Sequence, residues 1–266
     1  MTKNVSVPPH TPSRRRGFTL VETAVVMVII GLLVGGMMGL RSYVKNAALT
    51  TMMNESKFYI NAFNQFQARY VNPPGDYKSA SLAWSGAGNG DGNGLVRATG
   101  TAPGNRAEYF YTFQHLAFAG FIQGKYSGTT SGGTPGTDFY AKIGTNVPGS
   151  AIDKVAFLFD HPEEADGIVA NATTANTFYY DGNYSNVLRV AGLNDTDTNI
   201  PVQPFLTPQQ ALRLDEKYDD GMPGLGNVVV PKTSTLANCA SSNTAASATY
   251  NTAYTDNACY LILRMQ

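Results

Sequence analysis

Arg14-Arg15-Arg16-Gly17-Phe18-Thr19-Leu20-Val21-Glu22 opens an apolar stretch that continues to Leu40. From Phe18 to Leu40 the only charged residue is Glu22. A membrane-spanning helix needs about 20 consecutive apolar residues, so the stretch has the required length. The arginines lie directly before it, which favours a cytoplasmic N-terminus. The segment therefore predicts a single spanning helix at residues 18–40.

Two simpler explanations account for only part of this stretch. A secretory signal peptide has a short apolar core followed by a small-residue cleavage site, whereas this run has full spanning length and no A-x-A-like site after it. A plain signal anchor explains the length and the arginines but not Glu22. A carboxylate inside a membrane helix costs roughly 2.5–3.5 kcal/mol, which indicates a function for Glu22.

The segment from Gly17 to Glu22, after its basic leader, resembles the class III signal of type IV pilins and type II secretion pseudopilins. The resemblance implies that a prepilin peptidase cleaves between Gly17 and Phe18 and N-methylates Phe18. It also implies that Glu22 guides subunit docking, and that the partners are other pilin subunits, in a homo- or heteropolymer, and the inner-membrane assembly platform. The implied location is the bacterial inner membrane, then a periplasmic pseudopilus or a cell-surface pilus (fimbrium).

Electrostatics gives an independent reason for this role of Glu22. A buried carboxylate is tolerated mainly when it is paired or hydrogen-bonded. Cleavage after Gly17 would create a charge nearby, the α-amino group of Phe18, which stays cationic after methylation. The residues leave open whether the two groups pair within one subunit, and the resemblance implies pairing with the next subunit.

Small residues recur along the same stretch. Gly31, Gly35 and Gly39 make two overlapping G-x-x-x-G steps, a spacing that lets helix backbones approach closely. Each glycine also weakens the helix by up to about 1 kcal/mol relative to alanine. The pattern predicts close helix packing, local loosening of the helix, or both.

Three segments follow from these patterns: a leader at residues 1–17, a long helix at residues 18–70 and a globular head at residues 71–266. The second half of the helix carries an apolar stripe at near-helical spacing, predicted to pack on the head. Its members are Val44, Ala48, Met52, Tyr59, Phe63, Phe66 and Tyr70. The prolines at residues 73 and 74 end the helix.

The head is predicted to be α+β, with an antiparallel sheet under the long helix and extra helices and loops. Predicted helices are Glu108–Gln123, closed by Gly124, and a helix capped by Thr207 that ends near Tyr218. Predicted strands are Val155–Phe159, Thr177–Tyr180, Val187–Ala191, Val228–Val230 and Cys259–Met265. His115 lies on or beside the apolar face of the first of these helices and is interpreted as a packed side chain rather than a ligand.

The loop around residues 86–94 offers a candidate Ca²⁺ site. Asn89, Asp91, Asn93 and Gly94 occupy the first, third, fifth and sixth positions of a Ca²⁺-loop pattern. The first position is Asn rather than Asp, and the twelfth is Gly100 rather than Glu. A flexible turn is the alternative, and no cofactor is expected to be required.

Asp215–Val228 reads D-x-K-x-D-D-G-x-P-x-x-G-x-V and resembles an element of the heads of large pilin-like proteins. Its physical content is a turn with adjacent carboxylates that leads into a strand. Acid–base chemistry is not favoured, because the sequence places no nucleophile beside these carboxylates.

Cys239 and Cys259 are the only two cysteines. In an exported head they could form a disulfide, worth about 3 kcal/mol in the chain-entropy model. Two buried free thiols are the alternative. Pilins often carry a disulfide around a variable loop near the C-terminus, so the resemblance implies the bond.

The composition and motifs of the head argue against several function classes. From residue 71 onward it holds 17 Asp and Glu residues against 11 Lys and Arg residues, which does not indicate nucleic-acid binding. No G-x-S-x-G, H-E-x-x-H or Cys-rich zinc pattern occurs, so an enzyme is not expected. The expected function is a structural pilus or pseudopilus subunit, with a minor pilin or pseudopilin favoured by the large head. The alternatives are a major pilin and a non-assembling, membrane-anchored surface binding protein.

Overall fold

The computed structural model describes residues 17–96, 108–129, 140–161, 179–180, 184–193, 200–232 and 236–265. For residues 36–42 it describes the backbone only. The chain divides into two compact units, Met1–Ala47 and Ala48–Gln266. The predicted leader lies outside the described residues except for Gly17. The second unit holds the whole sheet and most of the core.

Four α-helices and a short 3₁₀ turn lie in the described ranges. They are α1 (Leu20–Tyr70), α2 (Ala80–Ala83), α3 (Glu108–Phe118), α4 (Pro208–Tyr218) and the 3₁₀ turn Ala245–Ser247. α1 is the predicted long helix, and it ends where Val71 takes a left-handed conformation with φ 70° before the proline pair. The capping box predicted for α4 is confirmed, since Thr207 Oγ1 accepts from the Gln210 N–H and the Gln210 side chain accepts from the Thr207 N–H.

Four antiparallel strands form one sheet in the order β1-β2-β4-β3. The strands are β1 (Val155–Asp160), β2 (Val187–Gly192), β3 (Val228–Val229) and β4 (Leu261–Arg264). All six residues of β1 and of β2 are buried, and both strands are rich in branched and aromatic side chains that suit such positions. The predicted α+β class with an antiparallel sheet is confirmed.

Within the second unit, the later part of α1 packs on the sheet as its apolar stripe predicts. The ring centroids of Phe63 and Phe159 are 4.7 Å apart, and those of Tyr59 and Phe157 are 4.9 Å apart. α3 closes the same core, because Phe113 lies 5.5 Å from Phe159 between ring centroids. Aromatic packing therefore ties α1, α3 and β1 together.

Three predicted details differ from the structure. Val44 was placed on the core stripe of α1 but is 66% exposed. The second helix ends at Phe118 rather than Gln123, because Gly120 takes φ 78° and the Phe121 N–H donates to the Leu116 carbonyl, which closes the helix early. Tyr179 and Tyr180 are buried but form no strand, while residues 177 and 178 lie outside the described ranges.

Candidate functional site

The N-terminus of α1 is held by a reciprocal hydrogen-bond pair. Glu22 Oε2 accepts from the Thr19 N–H at 2.8 Å and from Thr19 Oγ1 at 2.9 Å. In return, the Glu22 N–H donates to Thr19 Oγ1 at 3.2 Å. This is the geometry of a capping box, in which two backbone N–H groups at a helix start receive side-chain acceptors.

This arrangement gives Glu22 a partner that the sequence argument missed. Before cleavage at Gly17, the sequence offers no charged partner for Glu22 between Phe18 and Leu40, whereas Thr19 is an uncharged partner. The signal was present, because Thr19-x-x-Glu22 before an apolar run is a capping-box pattern. Glu22 therefore has hydrogen-bond partners within its own helix.

The apolar side chains of the first unit face outward. Phe18 is 84% exposed, and Val34, among the least exposed of these side chains, is still 47% exposed. A Cβ added at Gly31 or Gly35 would meet nothing within 4 Å, so these glycines are open to an approaching surface. The surroundings of Gly39 lie outside the described side chains, and the predicted G-x-x-x-G packing stays a prediction.

Within the residues that the structure describes, no helix is both long and apolar enough to cross a membrane.

In the head, the glycine-rich loop at residues 86–96 is organised around a buried carboxylate, Asp76. Asp76 Oδ1 accepts from the Gly92 and Asn93 N–H groups at 2.5 and 3.1 Å, and Oδ2 accepts from the Gly94 N–H at 2.7 Å. Desolvation outweighs these bonds and raises the pKa of Asp76 to about 6. Asp76 therefore closes the loop from the inside.

The side chains of the candidate Ca²⁺ site are hydrogen-bonded within the protein, and Asn93 Nδ2 donates to Asp91 Oδ2 at 2.8 Å. Asn89 turns away to bind Ser81, accepting from its N–H at 2.8 Å and donating to its Oγ at 2.9 Å. Asn93 Oδ1 accepts from the Leu95 N–H at 2.8 Å. The structure instead brings carboxylate oxygens of Asp76, Asp91 and Glu108 within 4.8 Å of one another.

Of the predicted ligands, only Asp91 belongs to this acidic cluster. Asp76 and Glu108 were missed because they lie 15 and 17 residues from Asp91 in the sequence, beyond the reach of any loop pattern. The backbone N–H groups already supply donors to Asp76, so the loop is held together by the chain's own atoms. Calcium binding here stays a prediction.

His115 joins the same loop to the end of α1, as a packed side chain rather than a ligand. Its Nδ1 accepts from the Gly75 N–H at 2.9 Å, and its Nε2 lies 2.7 Å from the Gly88 carbonyl. The first bond requires an unprotonated Nδ1, which makes Nε2 the donor. Burial lowers the pKa of His115 to about 4, so the ring is neutral near pH 7.

A second acidic cluster lies at the end of α4, where carboxylate oxygens of Asp215, Asp219 and Asp220 approach within 4.8 Å. Asp219 Oδ2 accepts from the Asn227 and Val228 N–H groups at 2.5 and 2.9 Å, which confirms the predicted turn into β3. Asp215 is buried and accepts from Tyr250 Oη at 2.8 Å. Desolvation raises the pKa of Asp215 to about 7.

The disulfide expected in the head is present. Cys239 and Cys259 are bonded, with their Cα atoms 5.1 Å apart and both residues buried. The alternative of two free thiols is therefore wrong. The bond fixes the polar loop between the cysteines beside β4, and the hydrogen bond from Tyr250 to Asp215 ties that loop to α4.

Comparison with known proteins adds one match. The family model described as the prokaryotic N-terminal methylation motif matches residues 12–38, which include Gly17, Phe18, Glu22, Gly31 and Gly35. No curated protein and no solved structure is significantly similar to the chain. The match ends before the second unit begins.

Proposed function

We propose that this chain is a structural subunit of the type IV pilin and pseudopilin family that polymerises into a pilus or pseudopilus. The observation that carries the proposal is the match to the N-terminal methylation motif, whose matched residues include Gly17, Phe18 and Glu22. The exposed apolar side chains of the first unit support it, because an apolar surface of this size is typical of an interaction or membrane site.

The proposed sequence of events begins in the inner membrane, where residues 18–40 anchor the chain. Prepilin peptidase cleaves after Gly17 and methylates Phe18. The open faces of Gly31 and Gly35 then allow the helices of neighbouring subunits to approach closely, and the head forms the outer surface. No catalytic role is proposed for the head.

Within the family, the large head favours a low-abundance minor pilin or pseudopilin over a major pilin. A non-assembling, membrane-anchored binding protein is the remaining alternative. Abundance on sheared filaments distinguishes the first two, because a major pilin dominates that fraction and a minor one does not.

A set of three variants separates two roles of Glu22, the helix cap and the proposed docking charge. Glu22→Ala removes both the charge and the cap. Glu22→Gln keeps an oxygen acceptor for Thr19 and removes the charge, whereas Thr19→Ala weakens the cap and keeps the charge. If the charge acts in docking, Glu22→Ala and Glu22→Gln are cleaved and membrane-inserted but absent from sheared filaments.

Under the same proposal, Thr19→Ala still assembles. Incorporation of Glu22→Gln at the normal level, with loss of Thr19→Ala, would reduce Glu22 to a helix cap and contradict its docking role. Normal incorporation of all three variants would contradict a role in assembly altogether. Quantitative immunoblots of sheared and membrane fractions measure each outcome.

A further inference from the structure

The glycine-rich loop contains the dipeptide Asn-Gly twice, at Asn89-Gly90 and at Asn93-Gly94. In an Asn-Gly pair, the glycine nitrogen is little hindered and can attack the asparagine side-chain carbonyl. Two such pairs four residues apart form an internal comparison, since they share a loop but differ in their hydrogen-bond partners.

At the first pair, the Ser81 N–H donates to Asn89 Oδ1, where negative charge would develop, but among the described residues no carboxylate is bonded to the Gly90 nitrogen or to Asn89 Nδ2. The Asn89 side chain is bound to Ser81 through both its oxygen and its nitrogen. The Gly90 N–H donates to the Tyr77 carbonyl at 3.3 Å, and a backbone carbonyl is not a base that takes up the proton.

At the second pair, three groups are placed where the reaction needs them. Asp76 Oδ2 accepts from the Gly94 N–H at 2.7 Å, within reach for a general base acting on that nitrogen. The Leu95 N–H donates to Asn93 Oδ1 at 2.8 Å, at the oxygen where negative charge develops. Asp91 Oδ2 accepts from Asn93 Nδ2 at 2.8 Å, at the leaving nitrogen.

We propose that Asn93-Gly94 is a self-modification site, at which the loop converts Asn93 into a succinimide and then into aspartate or isoaspartate. Asp76 removes the proton from the Gly94 nitrogen as this atom bonds to Asn93 Cγ. The Leu95 N–H stabilises the oxyanion on Oδ1. The Cγ–Nδ2 bond then breaks, and the nitrogen leaves as ammonia with a proton delivered through Asp91. Water opens the succinimide ring on either side.

The proton balance closes within the loop. A carboxylate oxygen of Asp76 lies within 4.8 Å of one of Asp91, and Asp91 Oδ2 accepts from Asn93 Nδ2, so the proton taken from Gly94 can pass to the carboxylate beside the leaving nitrogen. Asp76 is buried, and desolvation makes its carboxylate a stronger base than that of an exposed aspartate. Asn93 is exposed, which gives water access for the hydrolysis.

The reaction would also loosen the loop. A succinimide nitrogen carries no hydrogen, so the Gly94 bond to Asp76 is lost. Ring opening then places a carboxylate at residue 93 next to the exposed Asp91, where the Asn93 amide formerly donated to it. The product is a covalent, irreversible mark on the head that accumulates with the age of a subunit.

The test is peptide mapping by mass spectrometry of the purified full chain in detergent, incubated at neutral pH and sampled over time. Asn93 is expected to convert about 100-fold faster than Asn89, the lower end of what a positioned general base contributes.

Two variants assign the roles. Asp76→Asn removes the base and brings the Asn93 rate down to that of Asn89. Asp91→Ser keeps a short acceptor for the Asn93 N–H but removes the carboxylate at the leaving nitrogen, and lowers the Asn93 rate at least tenfold, in line with loss of a proton-transfer group. If Asp76→Asn disrupts the fold, Asn89 accelerates as well, and Asp91→Ser then decides.

Equal rates at Asn89 and Asn93 in the unmodified chain would overturn the proposal. An Asn93 rate unchanged in Asp91→Ser would do the same for the proton relay. An Asn93 rate unchanged in Asp76→Asn, with the Asn89 rate also unchanged, would show that Asp76 does not act as the base.

Discussion

The two stretches of α1 on either side of residue 47 have similar apolar side chains and opposite surroundings. From Leu20 to Val34 the described apolar side chains are exposed, whereas Met52, Phe63 and Phe66 are almost completely buried. The apolar side chains of the second stretch are buried against the head of the same chain. The apolar side chains of the first stretch are exposed among the described residues, and in the proposed function a membrane or a neighbouring subunit would bury them.

The comparison predicts that changes in the two stretches appear in different measurements. Changes at the start of α1 alter processing and assembly and leave the unfolding of the head unaffected. Changes in the covered stretch and in the head alter the free energy of unfolding.

The largest expected effect is on processing. Gly17→Val is expected to block prepilin peptidase cleavage almost completely, since the resemblance assigns the cut to the bond after this glycine. A Cβ at residue 17 would meet nothing within 4 Å, so the variant should fold normally. Intact-mass measurement should show the uncut chain in the membrane. Efficient cleavage at the same bond would contradict the assigned processing site.

Next comes a pair of large-to-alanine truncations on the same helix. Phe63→Ala removes a ring that is 1% exposed and packs at a tilt against Phe159, and is expected to destabilise the head by about 3–5 kcal/mol. Leu33→Ala, at a side chain that is 59% exposed, should change the head's stability by no more than about 0.5 kcal/mol. Denaturant unfolding of the full chain in detergent measures both changes. Similar losses of unfolding free energy in the two variants would contradict the difference in burial between the two stretches of α1.

The disulfide contributes a smaller amount, confined to the head. Replacing Cys239 and Cys259 together by serine is expected to lower the unfolding free energy by about 3 kcal/mol, because the bond closes a loop with a sequence separation of 20 residues. A reducing agent should produce the same loss in the unmodified chain and none in the double variant. Cleavage after Gly17 should be unaffected. A processing defect would contradict the expectation that changes in the head alter only its stability.

The smallest effect concerns pH. The pKa of His115 is about 4 in the fold and about 6.5 in the unfolded chain, so its contribution to stability is full above pH 6.5 and is lost as the pH falls toward 4. The loss amounts to about 3 kcal/mol at most. Asp76 and Asp215 act in the opposite sense, because their raised pKa values make protonation favour the fold as the pH falls.

His115→Gln isolates this contribution, since it removes the titrating group and keeps a polar side chain. The stability difference between the unmodified chain and His115→Gln should shrink between pH 6.5 and pH 4. A difference that stays constant over this range would show that His115 does not titrate with folding.

Local patterns allowed correct predictions where the decisive contacts are close in sequence. The capping box at Thr207, the strands near residues 155 and 187 and the apolar stripe from Met52 to Phe66 follow from spacing alone. The early end of α3 was missed because Gly120 and Gly124 both take a positive φ, and the sequence does not say which one ends the helix.

Long-range contacts explain the remaining differences. Asp76 and Glu108 meet Asp91 only through the fold, so the Ca²⁺-loop pattern pointed to Asn89 and Asn93 instead. Val44 continues the helical spacing of the apolar stripe but lies before the second unit begins at Ala48. Helical spacing does not reveal at which residue the stripe becomes buried. The Thr19–Glu22 capping box matches a local sequence pattern, but the prediction for Glu22 rested on its charge alone.

Cleavage after Gly17 and assembly into a filament are tested most directly by intact mass with N-terminal sequencing. The protein is taken from the sheared-filament fraction and from the membrane fraction. The account predicts a chain that begins at N-methylated Phe18, present in the sheared fraction and in small amount if the subunit is a minor pilin. A processed chain confined to the membrane and periplasm would favour the pseudopilin. An uncut chain in every fraction, with prepilin peptidase active in the same cells, would contradict the account.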